Sequence, residues 1–363
     1  MSEVTRESVE KAIKGYVEPH LEKDLVSTKY VKDIQIEGGD VKVKVVLGFP
    51  AEGFKTTLSS AVSELVSKVE GVSSVTVDVT WNIAAHSVQK SLKPIDNVKN
   101  IIAVASGKGG VGKSTTAINL ALALAAEGAT VGILDADIYG PSQPRMLGIT
   151  GQPESRDGKT LEPMSNHGLQ AMSIGFLVDE ETPMIWRGPM VTQALEQLLN
   201  DTNWTSLDYL VVDLPPGTGD TQLTLAQKVP VSGAVIVTTP QDIALLDARK
   251  GFKMFEKVEV PVLGILENMS THICTQCGHE EHIFGEGGGG RMAQQYDVDF
   301  LGALPLDIRI REETDGGKPT VVAEPDSRIS QIYREIARKT AAKLALQAKS
   351  HAAKFPSIVI QNN

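Results

Sequence analysis

The 363-residue sequence predicts an α/β domain with a mostly parallel sheet covered by helices, preceded by a small α+β domain. After about residue 99, short runs of Val, Ile and Leu alternate with helical patterns. Such continuous apolar strands are typical of a parallel sheet that helices bury on both faces. Before residue 82, a strand in which apolar and polar residues alternate indicates a sheet with one buried face. The length also exceeds that of one typical domain, so two are expected.

We assign residues 1–81 to the small domain. Helical spacing, strand alternation and a Gly-Gly-Asp turn predict its elements in order: a helix at Arg6–Val17, strands at Tyr30–Ile36 and Val41–Leu47, a helix at Leu58–Val69 and a strand at 75–81. Residues 82–98 show no period and contain a proline, which predicts a linker.

We assign residues 99–350 to the larger domain and 351–363 to a C-terminal tail. The strands of the larger domain are expected at Ile101–Ala105, Ala129–Leu134, Asp208–Val212, Gly233–Thr238 and Val262–Leu266, and its helices at Thr115–Ala126 and Gln331–Gln347. The last of these helices is rich in Lys and Arg. We expect those charges to form a solvated outer face rather than a membrane-binding one.

Composition excludes several functions. The net charge of −10 argues against a surface that coats nucleic acid. No run of about 18 apolar residues suggests a membrane span, and the charged N-terminus does not resemble a signal peptide. Only 2 cysteines are present, which suits a reducing compartment better than a disulfide scaffold. The sequence therefore predicts a cytoplasmic protein with neither a membrane nor a nucleic-acid partner.

Residues 107–114 read Gly-Lys-Gly-Gly-Val-Gly-Lys-Ser, between an apolar strand and a helix. This is the phosphate-loop (P-loop) pattern, in which glycines let backbone N–H groups and a helix N-terminus surround a phosphate. Lys113 would reach the β- and γ-phosphates, and the Ser114 hydroxyl would join the Mg²⁺ ligands. The motif predicts a P-loop NTPase fold. The predicted nucleotide-binding residues here are Gly107, Lys108, Gly109, Gly110, Val111, Gly112, Lys113, Ser114 and Thr115.

Carboxylates follow two of the predicted strands. Asp135 and Asp137 close the second strand, and Asp213 closes the third. Ligands bind at the carboxyl ends of strands in such sheets, so we place Asp135 and Asp213 near the metal and let Asp137 orient the attacking water. Gly217, in a Pro- and Gly-rich loop, could offer its N–H to the γ-phosphate. Helix caps, turns and a structural loop are the alternatives for these residues.

The motifs Lys-Gly-Gly-Val-Gly-Lys-Ser, Asp135-Ala-Asp137 and Asp213-Leu-Pro-Pro-Gly217 together resemble those of the deviant-Walker NTPases. That family includes division-site, chromosome-partitioning and nitrogenase-reductase proteins. The resemblance implies a homodimer that closes face to face around ATP, with Lys108 reaching the partner's phosphates. It also implies that Asn268 reads adenine, although Asn268 could equally be a turn residue. Lys108, Lys113 and Asp137 are therefore the predicted catalytic residues.

Cys274 and Cys277 are three residues apart in a polar stretch after the fifth strand. Two thiolates cannot fill a cluster that needs four, but a symmetric dimer supplies four at one axis. This predicts a [4Fe–4S] cluster bound by both cysteines of two subunits. A mononuclear zinc site with His279 and His282, a redox dithiol and inert cysteines are the alternatives.

With the cysteine pair and the N-terminal domain, the chain resembles the Mrp/ApbC iron–sulfur cluster carriers over nearly its whole length. The small domain resembles a metal–sulfur cluster assembly domain, although Phe49–Phe54 lacks the reactive cysteine of many stand-alone versions. Thr275 also stands where that family often has proline. The absent cysteine favours a docking role for the small domain over metal chemistry.

The resemblance implies an ATPase that receives a [4Fe–4S] cluster from an iron–sulfur scaffold and transfers it to apo-proteins, with hydrolysis gating the cycle. Its cofactors would be ATP and Mg²⁺, and Ser114, Cys274 and Cys277 would be its metal-binding residues. A positioning protein like MinD or ParA and an ATP-dependent reductase are the alternative functions.

Overall fold

The computed structural model describes residues 4–86, 88–89, 92–178, 188–274 and 276–352. The chain separates into two compact units. The first contains Met1–His86 and Ala341–Asn363, and the second contains Ser87–Thr340. Of the described residues, those at 341–352 thus group with the N-terminal part of the chain, whereas the sequence analysis assigned residues up to 350 to the larger domain. Of the predicted tail, residues 353–363 lie outside the described residues.

The strands of the described residues are β1 (Val17–Glu18), β2 (Lys23–Asp24), β3 (Val31–Glu37), β4 (Asp40–Leu47), β5 (Ser74–Trp81), β6 (Val98–Ser106), β7 (Val131–Asp135), β8 (Met164–Asn166), β9 (Leu169–Ser173), β10 (Leu207–Asp213), β11 (Gly233–Thr238), β12 (Val262–Glu267), β13 (His272–Ile273), β14 (Glu280–Glu281) and β15 (Phe300–Ala303).

The helices of the same residues are α1 (Arg6–Lys14), α2 (Lys55–Ser67), α3 (Lys113–Ala126), α4 (Gln143–Met146), α5 (Gly188–Asn200), α6 (Asp220–Lys228), α7 (Asp242–Lys257), α8 (Gly288–Tyr296), α9 (Ile308–Asp315), α10 (Thr320–Ala323) and α11 (Arg328–Ala352), with a short 3₁₀ turn at Ile174–Phe176. No helix among them combines the length and the apolar character needed to cross a membrane.

The first unit is built around a three-stranded sheet in the order β3-β4-β5. β3 and β4 form the predicted hairpin, and Gly38 takes the positive φ of 64° that its turn requires. β5 pairs parallel to β4 because α2 crosses over between them. The predicted helix Arg6–Val17 was too long at its C-terminal end. It ends at Lys14, where the Gly15 N–H closes its last turn, and residues 17–18 pair with β2 instead.

The second unit contains a sheet in the order β15-β12-β11-β6-β10-β7-β9-β8. Every neighbouring pair is parallel except β8 with β9. β6 lies in the middle, between β10 and β11, and β11 is buried along its whole length. The predicted parallel sheet covered by helices is therefore confirmed. β8, β9 and β15 were not predicted, because each has at most five residues and lacks a continuous run of β-branched side chains.

Helix α3 is buried on most of its surface, and ion pairs hold the residue that follows its C-terminal end. The Glu127 carboxylate is fully buried and accepts hydrogen bonds from Arg334 and Arg338, both at 2.7 Å. A buried carboxylate needs such partners to offset its lost hydration. The expectation that the basic residues of the C-terminal helix face solvent is therefore wrong for these two arginines.

Candidate nucleotide site and cysteine hairpin

The phosphate loop connects the C-terminal end of β6 to the N-terminus of α3. Gly110 and Gly112 both have φ of 79°, a conformation in which a Cβ would be strained. Gly112 directly precedes the first helical residue, Lys113. The loop therefore has the strand, glycine turn and helix order that phosphate binding requires, and it ends at a helix N-terminus, where backbone N–H groups favour an anion.

Neighbouring elements hold this loop tightly at two points. A Cβ added at Gly107 would lie 2.1 Å from the backbone carbon of Asp247 in α7. One added at Gly112 would lie 2.2 Å from the side-chain nitrogen of Asn268. By contrast, a Cβ at Gly109 would meet nothing within 4 Å. The glycines of the motif thus serve two purposes. Gly107 and Gly112 allow close packing against neighbouring elements, and Gly109 leaves open space beside the loop.

Lys113, Ser114 and Asp213 lie together at the start of α3. The Lys113 ammonium forms a buried ion pair with Asp213 and donates to the Ser114 hydroxyl at 3.1 Å. The Gln143 amide donates to the second Asp213 oxygen at 2.9 Å and to the Ser114 carbonyl at 3.2 Å. The structure therefore brings together three predicted site residues and adds Gln143, which sequence reasoning missed.

Asp135 and Asp213 occupy paired positions on the adjacent strands β7 and β10. Asp135 is fully buried and accepts hydrogen bonds from the Ser173 hydroxyl at 3.0 Å and from the backbone N–H groups of Gln143 and Asp137. Burial, together with the nearby Asp213 carboxylate, raises the pKa of Asp135 to about 7. The two carboxylates thus converge at the ends of paired strands, and the Asp213 charge opposes the ionisation of Asp135.

Asp137 lies half-buried just beyond the end of β7. Burial raises the pKa of Asp137, while the Lys113 ammonium opposes that rise and the Asp213 carboxylate adds to it. A carboxylate whose pKa is raised is a better proton acceptor. Its place at the edge of the Lys113–Asp213 cluster is compatible with the predicted role in orienting water.

The remaining predicted nucleotide contacts differ from one another. The Gly217 N–H donates to the Ser106 carbonyl at 2.9 Å, so a phosphate would have to compete with that carbonyl. Lys108 is half-buried, and no ion pair joins it to an acidic side chain within the described part of the chain. Thr115 follows in the first turn of α3 and is half-buried.

Asn268 lies directly after β12 and is buried. Its side-chain nitrogen donates to the Val111 carbonyl at 2.9 Å, and its side-chain oxygen accepts from the Met269 N–H at 2.9 Å. The amide thus binds the phosphate loop from outside. Its predicted role in reading adenine stays a prediction, and holding the loop is a role that sequence reasoning did not foresee.

The two cysteines lie at the tip of a short hairpin formed by β13 and β14. The Cys274 N–H donates to the His279 carbonyl at 2.9 Å, and the Gly278 N–H donates to the Cys274 carbonyl at 2.8 Å. Gly278 has a φ of 73°, which closes the turn. Cys274 is half-buried and Cys277 is exposed, so both thiols are available to a ligand outside the chain.

Hydrogen bonds from the backbone N–H groups of Cys277 and Gln276, and then from the Cys277 thiol, lower the pKa of the Cys274 thiol below its ordinary value, with a smaller contribution from His272. The thiolate is the form of cysteine that binds metal, so the turn favours that form of Cys274. Thr275, which lies between the two cysteines, is outside the described residues.

His279 and His282 do not complete a metal site with these cysteines. The His282 ring hydrogen-bonds the Ser270 carbonyl through Nδ1 at 3.1 Å, and His279 lies 3.9 Å from Glu281. Across the described residues, no three His, Cys, Asp or Glu side chains converge in a way that could hold a metal ion. The geometry of one chain therefore does not support the mononuclear zinc alternative.

A family model described as NUBPL iron-transfer P-loop NTPase matches residues 97–341, which is more than half of the chain. The chain belongs to this family of iron-transfer P-loop NTPases. A second model, described as iron-sulfur cluster assembly protein, matches residues 6–79. The predicted resemblance to iron–sulfur cluster carriers is thus confirmed for both parts of the chain.

Several members of the family are close in sequence. An iron-sulfur cluster carrier protein of Escherichia coli K12 is 51% identical over 96% of this chain and 94% of its own. One of Pseudomonas fragi is 62% identical over 75% of this chain and 96% of its own. The iron-sulfur cluster transfer protein NUBPL of Mus musculus is 54% identical over 69% of this chain and 80% of its own.

Solved structures support the fold. A nucleotide-binding protein of Archaeoglobus fulgidus in complex with ADP is 39% identical, with a TM-score of 0.56 over 64% of this chain and 90% of that one. The cell division ATPase MinD of Pyrococcus furiosus is 21% identical, with a TM-score of 0.50. The match covers 66% of this chain and 97% of the MinD chain. The second likeness concerns the fold alone, and it confirms the P-loop NTPase architecture.

Proposed function

We propose that this member of the family is an ATP-hydrolysing homodimer that carries a [4Fe–4S] cluster from a scaffold and transfers it to apo-proteins. The observation that carries the proposal is the Cys274–Cys277 hairpin, an exposed turn whose backbone favours a thiolate. One copy supplies two thiolates, and a two-fold axis brings four together. The printed names of the relatives, iron-sulfur cluster carrier and transfer proteins, support the same role.

The residues at the phosphate loop fit Mg²⁺ and a nucleoside triphosphate. The Ser114 hydroxyl and the Asp213 carboxylate contact the same Lys113 ammonium, so hard oxygen ligands of the kind Mg²⁺ prefers lie side by side. Bound Mg²⁺ would neutralise charge on the β- and γ-phosphates. Ser114 and Asp213 would hold it, with Asp135 behind them.

The chain's own residues would then do the following work. Loop N–H groups and Lys113 bind the phosphates, and Asp137 positions the attacking water. Lys108 reaches the phosphates of the partner copy, Gly217 senses the γ-phosphate by exchanging its Ser106 bond, and Asn268 contacts adenine. Hydrolysis gates a conformational cycle, so turnover is expected to be slow. Residues 1–81 act as a separate docking domain, joined by the 82–98 linker to an ATPase domain at 99–350.

Anaerobic reconstitution of the full chain tests the cluster proposal. We expect about four irons and four sulfides per dimer, as a single [4Fe–4S] cluster requires. Replacing Cys274 and Cys277 together by Ala should abolish iron binding while nucleotide binding persists. His279→Ala is the matched control, because it removes a potential zinc ligand and should leave the iron content unchanged. Zinc alone in the wild type, or unchanged iron in the double variant, would overturn the proposal.

A further inference from the structure

Residues 271–287, here called the cysteine segment, contain both cysteines and lie between β12 and α8. The segment leaves the core at Ser270 and returns to it at Gly288 and Gly289. One buried side chain contacts the residues at both of these ends. That side chain is Glu267, the last residue of β12, which is only 1% exposed.

The Glu267 carboxylate divides its oxygens between the two ends. Oε1 accepts a hydrogen bond from the Ser270 hydroxyl at 2.8 Å, and Oε2 accepts one from the Gly289 N–H at 2.6 Å. Gly289 lies in the first turn of α8, where unpaired N–H groups and the helix dipole favour a negative charge. Charge-assisted bonds of this kind are about twice as strong as neutral ones.

The backbone at Gly288 and Gly289, where the segment rejoins the core, is closely packed against neighbouring residues. A Cβ at Gly288 would lie 2.7 Å from the Pro240 carbonyl oxygen, and one at Gly289 would lie 3.0 Å from the Glu267 Cβ. The exit is fixed as well, because the Ser270 N–H donates to the Leu304 carbonyl at 2.9 Å. A shift of Glu267 would therefore move the base of the cysteine segment rather than be absorbed locally.

The residue after Glu267 contacts the phosphate loop. Asn268 donates from its side chain to the Val111 carbonyl in the phosphate loop, and its backbone N–H donates to the Thr238 carbonyl at 2.7 Å. Two consecutive residues thus hold different parts of the molecule: Asn268 holds the phosphate loop, and Glu267 holds the cysteine segment. A single peptide unit therefore separates the residue that contacts the Val111 carbonyl from the residue that contacts both ends of the cysteine segment.

We propose that Glu267 is a positioning residue that couples the phosphate loop to the cysteine segment within one chain, so that nucleotide exchange changes the affinity for the cluster. The proposal rests on the proposed function, because it assumes that the segment carries the cluster. Coupling is reciprocal: if a nucleotide changes cluster affinity by some factor, the cluster changes nucleotide affinity by the same factor.

Two substitutions at Glu267 form a matched pair. Glu267→Gln can still accept from the Gly289 N–H and donate to the Ser270 oxygen, so both contacts persist without the charge. Glu267→Ala leaves the Gly289 N–H and the Ser270 hydroxyl without this partner. Ser270→Ala is a milder variant that removes one contact and keeps the bond to Gly289. Circular dichroism checks that each variant folds.

The first measurement is the rate at which an iron chelator removes the cluster from the reconstituted full chain, with ADP and with a non-hydrolysable ATP analogue. In the wild type the two rates should differ by about fivefold or more, as typical coupling free energies imply. In Glu267→Ala the ratio should fall to about one, in Glu267→Gln it should remain near the wild-type ratio, and in Ser270→Ala it should be intermediate. A wild-type ratio of one, or an undiminished ratio in Glu267→Ala, would overturn the coupling.

The second measurement requires no cluster. Hydrogen exchange of residues 271–287 is followed in the full chain with and without ADP. ADP should change exchange in this segment of the wild type, and Glu267→Ala should lose that change while keeping the one in residues 107–114. An equal response in both proteins, or none in the wild type, would refute the proposal. If reconstitution yields no iron, the proposed function fails while the exchange experiment still reports on coupling.

Discussion

The phosphate loop and the cysteine hairpin are both short turns with glycine at a positive φ, yet they are held in different ways. The loop is fixed by tertiary contacts with α7, Asn268 and the sheet. The hairpin is fixed by hydrogen bonds within a few residues of itself, and one of its thiols is exposed. The candidate nucleotide site is therefore largely formed within one chain, whereas one hairpin would supply only half of the ligands of the proposed cluster.

The largest expected effect comes from Gly107→Ala. The new Cβ would overlap the α7 backbone, which cannot move aside as a flexible side chain would. We expect the free energy of unfolding to fall by about 3 kcal/mol, at the upper end of the overpacking range, and nucleotide binding to be lost.

Gly109→Ala is the matched control for this change, because its Cβ meets nothing within 4 Å. Its free energy of unfolding should lie within about 0.5 kcal/mol of the wild type, as for an ordinary surface change. Urea denaturation of both variants measures the difference. Equal losses of stability would show that tertiary contacts do not hold the loop.

The next effect concerns pH and the buried Asp135 carboxyl. Its pKa is raised in the folded state to about 7, so between its unfolded pKa and about 7 the folded chain binds the extra proton. Stability should therefore fall as pH rises across that window, by up to about 1.4 kcal/mol per pH unit. Above pH 7 no further loss from this group is expected.

Urea denaturation of the wild type and of Asp135→Asn at pH 5.5 and pH 8 tests this dependence. The stability of the wild type relative to the variant should decrease at the higher pH, since the variant carries no ionisable group there. A constant difference between the two proteins would show that Asp135 ionises as easily in the fold as in the unfolded chain.

The effect of the cysteine pair on stability should be much smaller. Replacing Cys274 and Cys277 by Ala keeps the backbone hydrogen bonds that close this largely exposed turn, so we expect a change in the free energy of unfolding within about 0.5 kcal/mol. Thermal unfolding without metal measures it. A loss of several kcal/mol would mean that the hairpin contributes to the fold and would weaken the contrast with the phosphate loop.

The smallest effect is a difference in reactivity within the hairpin. Backbone N–H groups lower the pKa of the Cys274 thiol, so its alkylation by iodoacetamide should begin at a lower pH than for an unperturbed thiol. The pH profile of alkylation in Cys277→Ala reports on Cys274 alone, with the Cys277 side-chain contribution removed and the backbone contribution kept. A profile like that of a free thiol would show that the turn is not prepared for a thiolate.

Much of the molecule could be predicted from local sequence. The strands β6, β10, β11 and β12 are continuous apolar runs, and a run of that kind forms a buried strand in almost any parallel sheet. The phosphate loop was recognisable because its glycines and lysine follow a fixed spacing. The convergence of Asp135 and Asp213 also followed from their positions, since both close parallel strands.

Other site residues could not be predicted, because their contacts depend on which segments become neighbours. Gln143 lies in a short helix, and Ser173 lies in a strand with no strong apolar pattern. The local sequence of neither residue indicates that its side chain contacts Asp135 or Asp213. The prediction for the C-terminal helix failed for the same reason, since the half-buried Arg334 and the buried Arg338 both pair with Glu127, which is distant in sequence.

The sequence by itself determined the order of elements, the phosphate-loop motif and the cysteine pair, since each depends on residues that are near in the chain. Tertiary structure alone decided that Gln143 and Ser173 surround the carboxylates, and that Glu267 and Asn268 hold the cysteine segment and the phosphate loop. Those contacts join residues far apart in sequence, and their energy comes from hydrogen bonds that form only after the sheet has excluded water.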